Sequence, residues 1–219
     1  MAVPMAGLLV MAIAAPVLAG GPNVSNTSGS GTSIYGEWSG DRTYGYVFAG
    51  EDSNKGGFAD IYQETGEWVE CASGTPAPTD AGTPSPKDTT PGDAVYGFVG
   101  TRTYGYATDL HVTLSRRLET GTATGTAELF TETIDECAGI YGGDPVSETV
   151  ALTVTATGVG PLASFRGSGS YKIPSEFNGH QNYRGTERQA SGSIDAGAIE
   201  ATFTFGYMNQ VSWSEHVNS

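Results

Sequence analysis

The stretch ETVALTVTA, residues 148–156, alternates between apolar and polar side chains. One side of an extended chain holds Val150, Leu152, Val154 and Ala156, and the other side holds the threonines. Such period-two alternation is typical of an antiparallel strand with one buried face and one solvated face. Branched Val and Thr side chains also favour strands over helices. The stretch therefore predicts a half-buried β-strand.

The same alternation occurs in DLHVTLS (109–115), ASFRGSGSYKI (163–173) and AIEATFTFGY (198–207). In the last stretch, the residues predicted to share one face are Ile199, Ala201, Phe203, Phe205 and Tyr207. In ASFRGSGSYKI, the shared face is predicted to hold Ala163, Phe165, Tyr171 and Ile173. No stretch shows sustained helical spacing of apolar residues, and 32 glycines disfavour helices. The chain is therefore predicted to be all-β.

Turn-forming residues separate these strands at ETGT (119–122), GVGP (158–161) and DAG (195–197). They predict three hairpins, which pair 110–118 with 122–132, 148–157 with 162–173, and 182–194 with 197–207. Such a meander of hairpins closes into an antiparallel β-barrel or folds into a β-sandwich, here of about eight to ten strands. Glycines within the strands favour the bent strands of a barrel.

The chain divides by composition into three parts. Residues 1–19 are uncharged and mostly apolar and end in small residues, which predicts a cleaved signal peptide or, alternatively, a retained anchor. Residues 20–33 are small and polar, and predict a flexible spacer. Residues 34–216 are predicted to form one β domain. The Pro- and Thr-rich residues 73–93 are expected to be an excursion from that domain, or an O-glycosylated segment.

Cys71 and Cys137 are the two cysteines of the chain. An even number of cysteines in an exported protein predicts a disulfide, and the alternative is two free buried thiols. Closing so long a loop would stabilise the fold by about 4 kcal/mol in the chain-entropy model.

The net charge of −14, with ten Lys and Arg residues, excludes several partners. Nucleic acid binding requires clustered basic residues that displace phosphate counterions. An anionic membrane surface is disfavoured for the same reason, and no stable membrane span is expected after signal cleavage. Phosphate-binding loops and dinucleotide fingerprints are absent, so no cofactor is predicted.

A repeated phrase links YGEWSGDRTYGY (35–46) with YGFVGTRTYGYA (96–107), and both copies contain RTYGY. In an extended strand, each copy places one arginine and two tyrosines on the same face. These candidate ligand-binding residues are Arg42, Tyr44, Tyr46, Arg102, Tyr104 and Tyr106. In one interpretation the rings form an exposed surface that stacks on flat ligands. In the other, which we favour, the copies are equivalent strands of a duplicated unit, with tyrosines filling the interior and arginines at the rim.

Catalytic markers are sparse. No histidine has zinc-ligand spacing, and no nucleophile elbow occurs. A calcium-loop pattern places Asp52, Asn54 and Asp60 at ligand positions, but the glutamate expected at its end is missing, so a glycine-rich turn explains the segment better. Four glutamates on predicted strands provide candidate carboxylate pairs for glycoside hydrolysis: Glu128, Glu132, Glu187 and Glu200.

These patterns together predict a non-enzymatic protein that is secreted or associated with the cell envelope and has a structural or ligand-binding role. Its expected ligand is a glycan, a cell-surface component or a small apolar molecule bound on the tyrosine-rich face. The alternative is a secreted glycoside hydrolase that uses paired carboxylates. A third possibility is a barrel that encloses a small ligand in its lumen.

Overall fold

A computed structural model describes residues 24–71, 95–173 and 177–218. Ten strands account for most of them: β1 (Val24–Ser39), β2 (Thr43–Asp52), β3 (Gly56–Glu70), β4 (Tyr96–Ala107), β5 (His111–Leu114), β6 (Thr120–Asp135), β7 (Val146–Ile173), β8 (Phe177–Ala196), β9 (Ile199–Phe203) and β10 (Phe205–Asn218). One short 3₁₀ helix spans Glu136–Ala138. The all-β prediction is confirmed.

The strands form one antiparallel sheet that closes on itself. Most strands pair with the next strand along the chain. Two pairs of strands are exceptions: β4 and β5 lie one after the other along the same edge of β6, and β9 and β10 lie one after the other along β8. Pairing of β10 with β1 completes the ring. The ten strands thus occupy eight positions around a closed ring. Of the two predicted architectures, the structure therefore has the β-barrel.

Alternation directs small and branched apolar side chains into the barrel. In β7, Leu152, Val154 and Ala156 are buried, whereas the intervening threonines are exposed. Two large rings also lie inside, and each occupies space above an inward-facing glycine. A β-carbon on Gly36 would lie 2.5 Å from the ring of Phe203, and one on Gly45 would lie 2.4 Å from the ring of Trp38. The interior is therefore filled by packed side chains.

The predicted disulfide is confirmed. Cys71 follows β3 and Cys137 lies in the 3₁₀ helix, and their Cα atoms are 5.2 Å apart. Gly97 of β4 lies beside the bond, because a β-carbon there would be 3.0 Å from both Sγ atoms. The disulfide fastens the end of β3 to the segment that follows β6, across β4.

The predicted hairpin between residues 148–157 and 162–173 is wrong. Both segments belong to β7, which continues through GVGP with an irregularity between Val159 and Ala163. The chain does not reverse here because β8 pairs with β7 on both sides of the irregularity. Arg188 Nε donates a hydrogen bond to the carbonyl oxygen of Gly160, which is left without a ladder partner.

Two other expectations require correction. Residues 20–33 were expected to be a flexible spacer, but β1 begins at Val24 and pairs with β10 throughout residues 24–33. The shared face predicted for residues 199–207 is interrupted after Phe203, where β9 ends. Ile199 and Phe203 point inward, whereas Phe205 is 54% exposed and Tyr207 lies on the outer surface.

The predicted signal peptide (1–19) and the Pro- and Thr-rich excursion (73–93) lie outside the described residues. Within the described ranges, no helix is long and apolar enough to cross a membrane.

Four strands continue beyond the closed ring and remain paired with one another, and we call this part of the sheet the extension sheet. It comprises residues 24–30 of β1, 163–173 of β7, 177–187 of β8 and 209–218 of β10. Pairing of β2 with β1 starts only at Gly31, and pairing of β6 with β7 ends at Thr157, so these strands extend past their barrel neighbours. By alternation, the extension sheet has an inner face, which continues the barrel lining, and an outer face, which continues the barrel surface.

Candidate ligand-binding surfaces

Aromatic side chains form a band around part of the barrel's outer surface. Tyr46, Tyr62, Tyr104 and Phe130 are successive cross-strand partners on β2, β3, β4 and β6. Tyr207 of β10 and Tyr35 of β1 are also cross-strand partners. Tyr106 of β4 lies at the same level of the strand register as Tyr35. We call these seven residues the tyrosine band.

The rings of the tyrosine band stack on one another. The centroid distances are 5.1 Å for Tyr207 and Tyr35, 6.5 Å for Tyr35 and Tyr46, 5.6 Å for Tyr46 and Tyr62, 5.6 Å for Tyr104 and Phe130, and 5.9 Å for Tyr106 and Phe130. Interplanar angles between 17° and 25° show that the rings stand side by side. Tyr35, Tyr46 and Phe130 each have a neighbouring ring on both sides, whereas the four rings at the ends of the two stacks are covered by a ring on one side only.

Each of four phenols in the band donates a hydrogen bond to a carboxylate. Tyr46 binds Asp60 (3.1 Å), Tyr106 binds Glu128 (3.0 Å), Tyr35 binds Glu37 (3.1 Å) and Tyr62 binds Glu64. Burial and the hydrogen bond to Glu64 raise the pKa of Tyr62 to about 12. Burial and the bond to Glu37 likewise raise the pKa of Tyr35. Each of these four hydroxyl groups therefore already has a carboxylate acceptor within the protein.

Arg102 neutralises part of this acidity. Its guanidinium lies 3.0 Å from Glu64 and 3.4 Å from Glu132, which flank it on β3 and β6. Arg42 is placed differently: it precedes β2 and forms an ion pair with Glu67 at 3.0 Å, with 68% of its side chain exposed. Of the two arginines predicted to belong to the ligand-binding face, Arg102 therefore lies on the band and Arg42 lies at its margin.

The two copies of TYGY occupy β2 and β4, on either side of β3. Tyr44, Tyr46, Tyr104 and Tyr106 point outward, so the expectation that these rings fill the interior is wrong. Gly45 and Gly105 point inward instead, beneath Trp38 and beside Leu129. The flanking sequences do not adopt equivalent structures, because residues 35–46 span the end of β1, a turn at residues 40–42 and the start of β2, whereas residues 96–107 form the single strand β4.

The structure separates the candidate metal ligands. Asp52 ends β2 and Asn54 lies in the turn that follows, where the backbone N–H of Asn54 donates a hydrogen bond to the Asp52 carboxylate. Asp60 lies further along β3 and accepts the hydrogen bond from Tyr46. In the three described ranges, no group of three or more His, Cys, Asp and Glu side chains is arranged to hold a metal ion.

The four candidate catalytic glutamates all project from the outside of the barrel. Glu128 accepts a hydrogen bond from Tyr106, and Glu132 pairs with Arg102. Glu187 lies on β8 and Glu200 on β9, on the faces opposite the buried side chains. None of the four is a cross-strand partner of another, so the register brings no two of them directly opposite each other.

A second aromatic surface, which the sequence analysis did not identify, covers the outer face of the extension sheet. Each ring lies over a glycine of a neighbouring strand. The shortest distance from a β-carbon built on the glycine to the ring is 2.7 Å for Gly29 and Trp213, 2.3 Å for Gly167 and Tyr183, 2.5 Å for Gly185 and Phe165, and 2.0 Å for Gly179 and Tyr171. The glycines and rings are cross-strand partners. We call these four rings the aromatic platform.

The aromatic platform differs from the tyrosine band in how its rings are oriented. Each platform ring packs over the backbone of a glycine, and the ring planes of Phe165 and Tyr183 are inclined at 53° to each other instead of being stacked. Trp213 and Tyr183 are direct partners on β10 and β8, and Phe165 lies 6.5 Å from Tyr183. The hydroxyl of Tyr171 donates to Glu215 at 2.7 Å, which raises the pKa of Tyr171 to about 12.

Comparisons of this chain with protein-family models, with curated proteins and with solved structures find no match.

Proposed function

We propose that this protein is an exported, non-enzymatic glycan-binding protein whose sugar-binding surface is the aromatic platform. The observation that carries the proposal is the arrangement of Trp213 and Tyr183, which lie over Gly29 and Gly167 side by side on the extension sheet. Sugar rings with equatorial hydroxyls have flat C–H faces, which pack well on flat aromatic rings. The Cys71–Cys137 disulfide is compatible with an oxidising compartment.

The platform fits a glycan better than a small apolar molecule. Its rings alternate with polar groups, including Gln181 and Glu215 on the same face. Glu215 accepts hydrogen bonds from Tyr171 and Thr27, and a carboxylate of this kind also accepts sugar hydroxyls. An apolar ligand would desolvate these groups without replacing their hydrogen bonds.

The tyrosine band is proposed to stabilise the barrel. Three of its rings, Tyr35, Tyr46 and Phe130, stack between two neighbours, and four of its phenols are bonded to carboxylates, which favours a structural role. Cross-strand aromatic pairs of this kind stabilise sheets by about 0.2–1 kcal/mol each. The repeated TYGY motif is accordingly assigned a scaffold role.

The proposal is tested by electrophoresis of the folded protein through native gels that contain a neutral polysaccharide such as β-glucan, xylan or galactan. We expect retardation in at least one gel. Trp213→Ala and Tyr183→Ala should each weaken binding about tenfold or more, because each removes one stacking surface.

Trp68→Ala is the matched control. Trp68 is 67% exposed and contacts Phe98 at the other end of the molecule from the platform, so its removal should leave retardation unchanged. Tyr104→Ala should also retain binding while lowering the melting temperature. Mobility unaffected by every neutral polysaccharide, or equal loss in the Trp68 and Trp213 variants, would refute the proposed function.

A further inference from the structure

The inner face of the extension sheet is polar and basic, whereas the protein as a whole is acidic. Its described side chains are serine, threonine, asparagine, glutamine, histidine, arginine and lysine, and none of them is a carboxylate. Arg166, Lys172 and Arg184 lie on this face, and Arg188 borders it where β8 enters the barrel. They are four of the ten Lys and Arg residues in a chain whose net charge is −14.

Arg166 and Arg184 are direct cross-strand partners on β7 and β8. Both side chains are exposed. Among the described residues, neither has an ion-pair partner or a side-chain hydrogen bond. Like charges directly opposite each other in a sheet are destabilising, and here no acidic group offsets the repulsion. An anion bound between the two guanidinium groups would remove it.

Polar side chains continue this surface towards the tip of the sheet. His216 and His180 are neighbours on β10 and β8, and His180 is hydrogen-bonded to Ser170 (3.0 Å) and Asn182 (3.2 Å). A pocket of about 340 Å³ lies against Ser170, Lys172, His180 and His216. Hydroxyl, amide and imidazole groups in such an open pocket can both donate hydrogen bonds to sugar hydroxyls and accept them.

We propose that the inner face binds an acidic polysaccharide whose charged groups are carboxylates. Arg166 and Arg184 would bind sugar carboxylates in bidentate fashion, since the planar guanidinium matches the planar carboxylate. Lys172, His180 and Asn182 would contact neighbouring sugar units. A nucleic acid fits less well, because the inner face carries no Phe, Tyr or Trp among its described residues on which successive bases could stack.

The protein's overall negative charge does not prevent this interaction. At physiological ionic strength, charges further away than about 8 Å are largely screened, so the local surface decides the binding. This inference is independent of the proposed function, because it concerns the opposite face of the sheet and a different class of glycan.

The test is calorimetric titration of the folded protein with a polyuronate at low and physiological salt. We expect binding that weakens with salt. Replacing both arginines (Arg166→Gln with Arg184→Gln) should weaken it at least tenfold. The control removes two cations outside the extension sheet, Arg42→Gln with Arg102→Gln, and should change affinity less than twofold.

Absence of polyuronate binding at low salt, or an equal loss in both double variants, would overturn the proposal. Tighter binding of a sulfated polymer or of single-stranded DNA than of polyuronate would also overturn it, since the carboxylate would then not be the preferred group. Trp213→Ala should leave polyuronate affinity within twofold, and the Arg166 and Arg184 double variant should still be retarded by the neutral polysaccharide. These two results separate the inference from the proposed function.

Discussion

Trp213 of β10 covers Gly29, its cross-strand partner in β1: a β-carbon on Gly29 would lie 2.7 Å from Cζ2 of the indole. The same relationship recurs at three other rings of the extension sheet. Glycine at these positions leaves room for a ring to lie on the sheet rather than stand away from it. The aromatic platform therefore depends as much on its glycines as on its aromatic residues.

Gly167→Ala is expected to destabilise the protein by about 1–3 kcal/mol, because the new methyl group would overlap the ring of Tyr183. Gly169→Ala, two residues along the same strand, is the matched control, since a β-carbon there meets nothing within 4 Å. That variant should be neutral or more stable by up to about 1 kcal/mol. Denaturant unfolding of both variants checks the difference, and equal stabilities would argue against the ring-over-glycine arrangement.

Arg102→Gln is expected to lower the free energy of unfolding by about 1 kcal/mol, because Glu64 and Glu132 both lose their cation. Arg42→Gln should cost less than about 0.5 kcal/mol, since its pair with Glu67 is largely exposed. Thermal melts at low and high salt measure both effects. If the two variants had the same melting temperature at low salt, the assignment of Arg102 to a charge network in the band would be wrong.

Reduction of the Cys71–Cys137 disulfide, or the double substitution of both cysteines by serine, is expected to destabilise the fold by about 4 kcal/mol. The bridged residues are 66 apart in sequence, and the expected effect follows from the lost constraint on the unfolded chain. Denaturant unfolding with and without reductant measures it. A reduced protein as stable as the oxidised one would contradict the expectation.

Alkaline pH should destabilise the tyrosine band. The pKa of Tyr62 is raised from 10.0 to about 12 in the folded protein, chiefly by burial and then by Glu64, so the folded state holds its proton more tightly than the unfolded state. Its contribution to stability is complete below pH 10 and is lost as pH rises towards about 12. Denaturant midpoints across this interval should fall more steeply for the natural protein than for Tyr62→Phe. Parallel pH profiles would contradict the prediction.

Where apolar and polar residues alternate strictly, the local sequence was sufficient to predict both the strand and its buried face. Leu152, Val154 and Ala156 point inward as predicted, because a period of two assigns each side chain to one of two faces. The same period does not say which face is inner where both faces carry plausible residues. In TYGY, the glycines face inward because Trp38 and Leu129 occupy the space beside them, and those contacts come from other strands.

Non-local pairing explains the remaining differences. GVGP has the composition of a turn, yet β8 pairs with the residues on both sides of it and keeps β7 as one strand. Residues 24–33 have the composition of a spacer, yet β10, almost two hundred residues later, pairs with all of them. Neither partner can be identified from the segment itself.

Only part of the candidate surfaces could be predicted from the sequence. The repeated phrase contains Tyr35, Tyr46, Tyr104 and Tyr106 of the band. The other three members, Tyr62, Phe130 and Tyr207, lie outside the repeat. For the aromatic platform, the signal was the spacing of aromatic residues and glycines in FRGSGSY (165–171) and YRG (183–185). That spacing becomes informative only when the register places each glycine opposite a ring.

The most direct test of the central claim is nuclear magnetic resonance of the three tryptophan indole N–H groups during titration with oligosaccharides of the neutral polysaccharide that retards the protein. Trp213→Phe and Trp68→Phe assign the signals. The account predicts a saturable shift of the Trp213 signal, with the signals of buried Trp38 and of Trp68 unchanged. A saturable shift of Trp68 with none at Trp213 would show that the sugar binds elsewhere and would contradict the account.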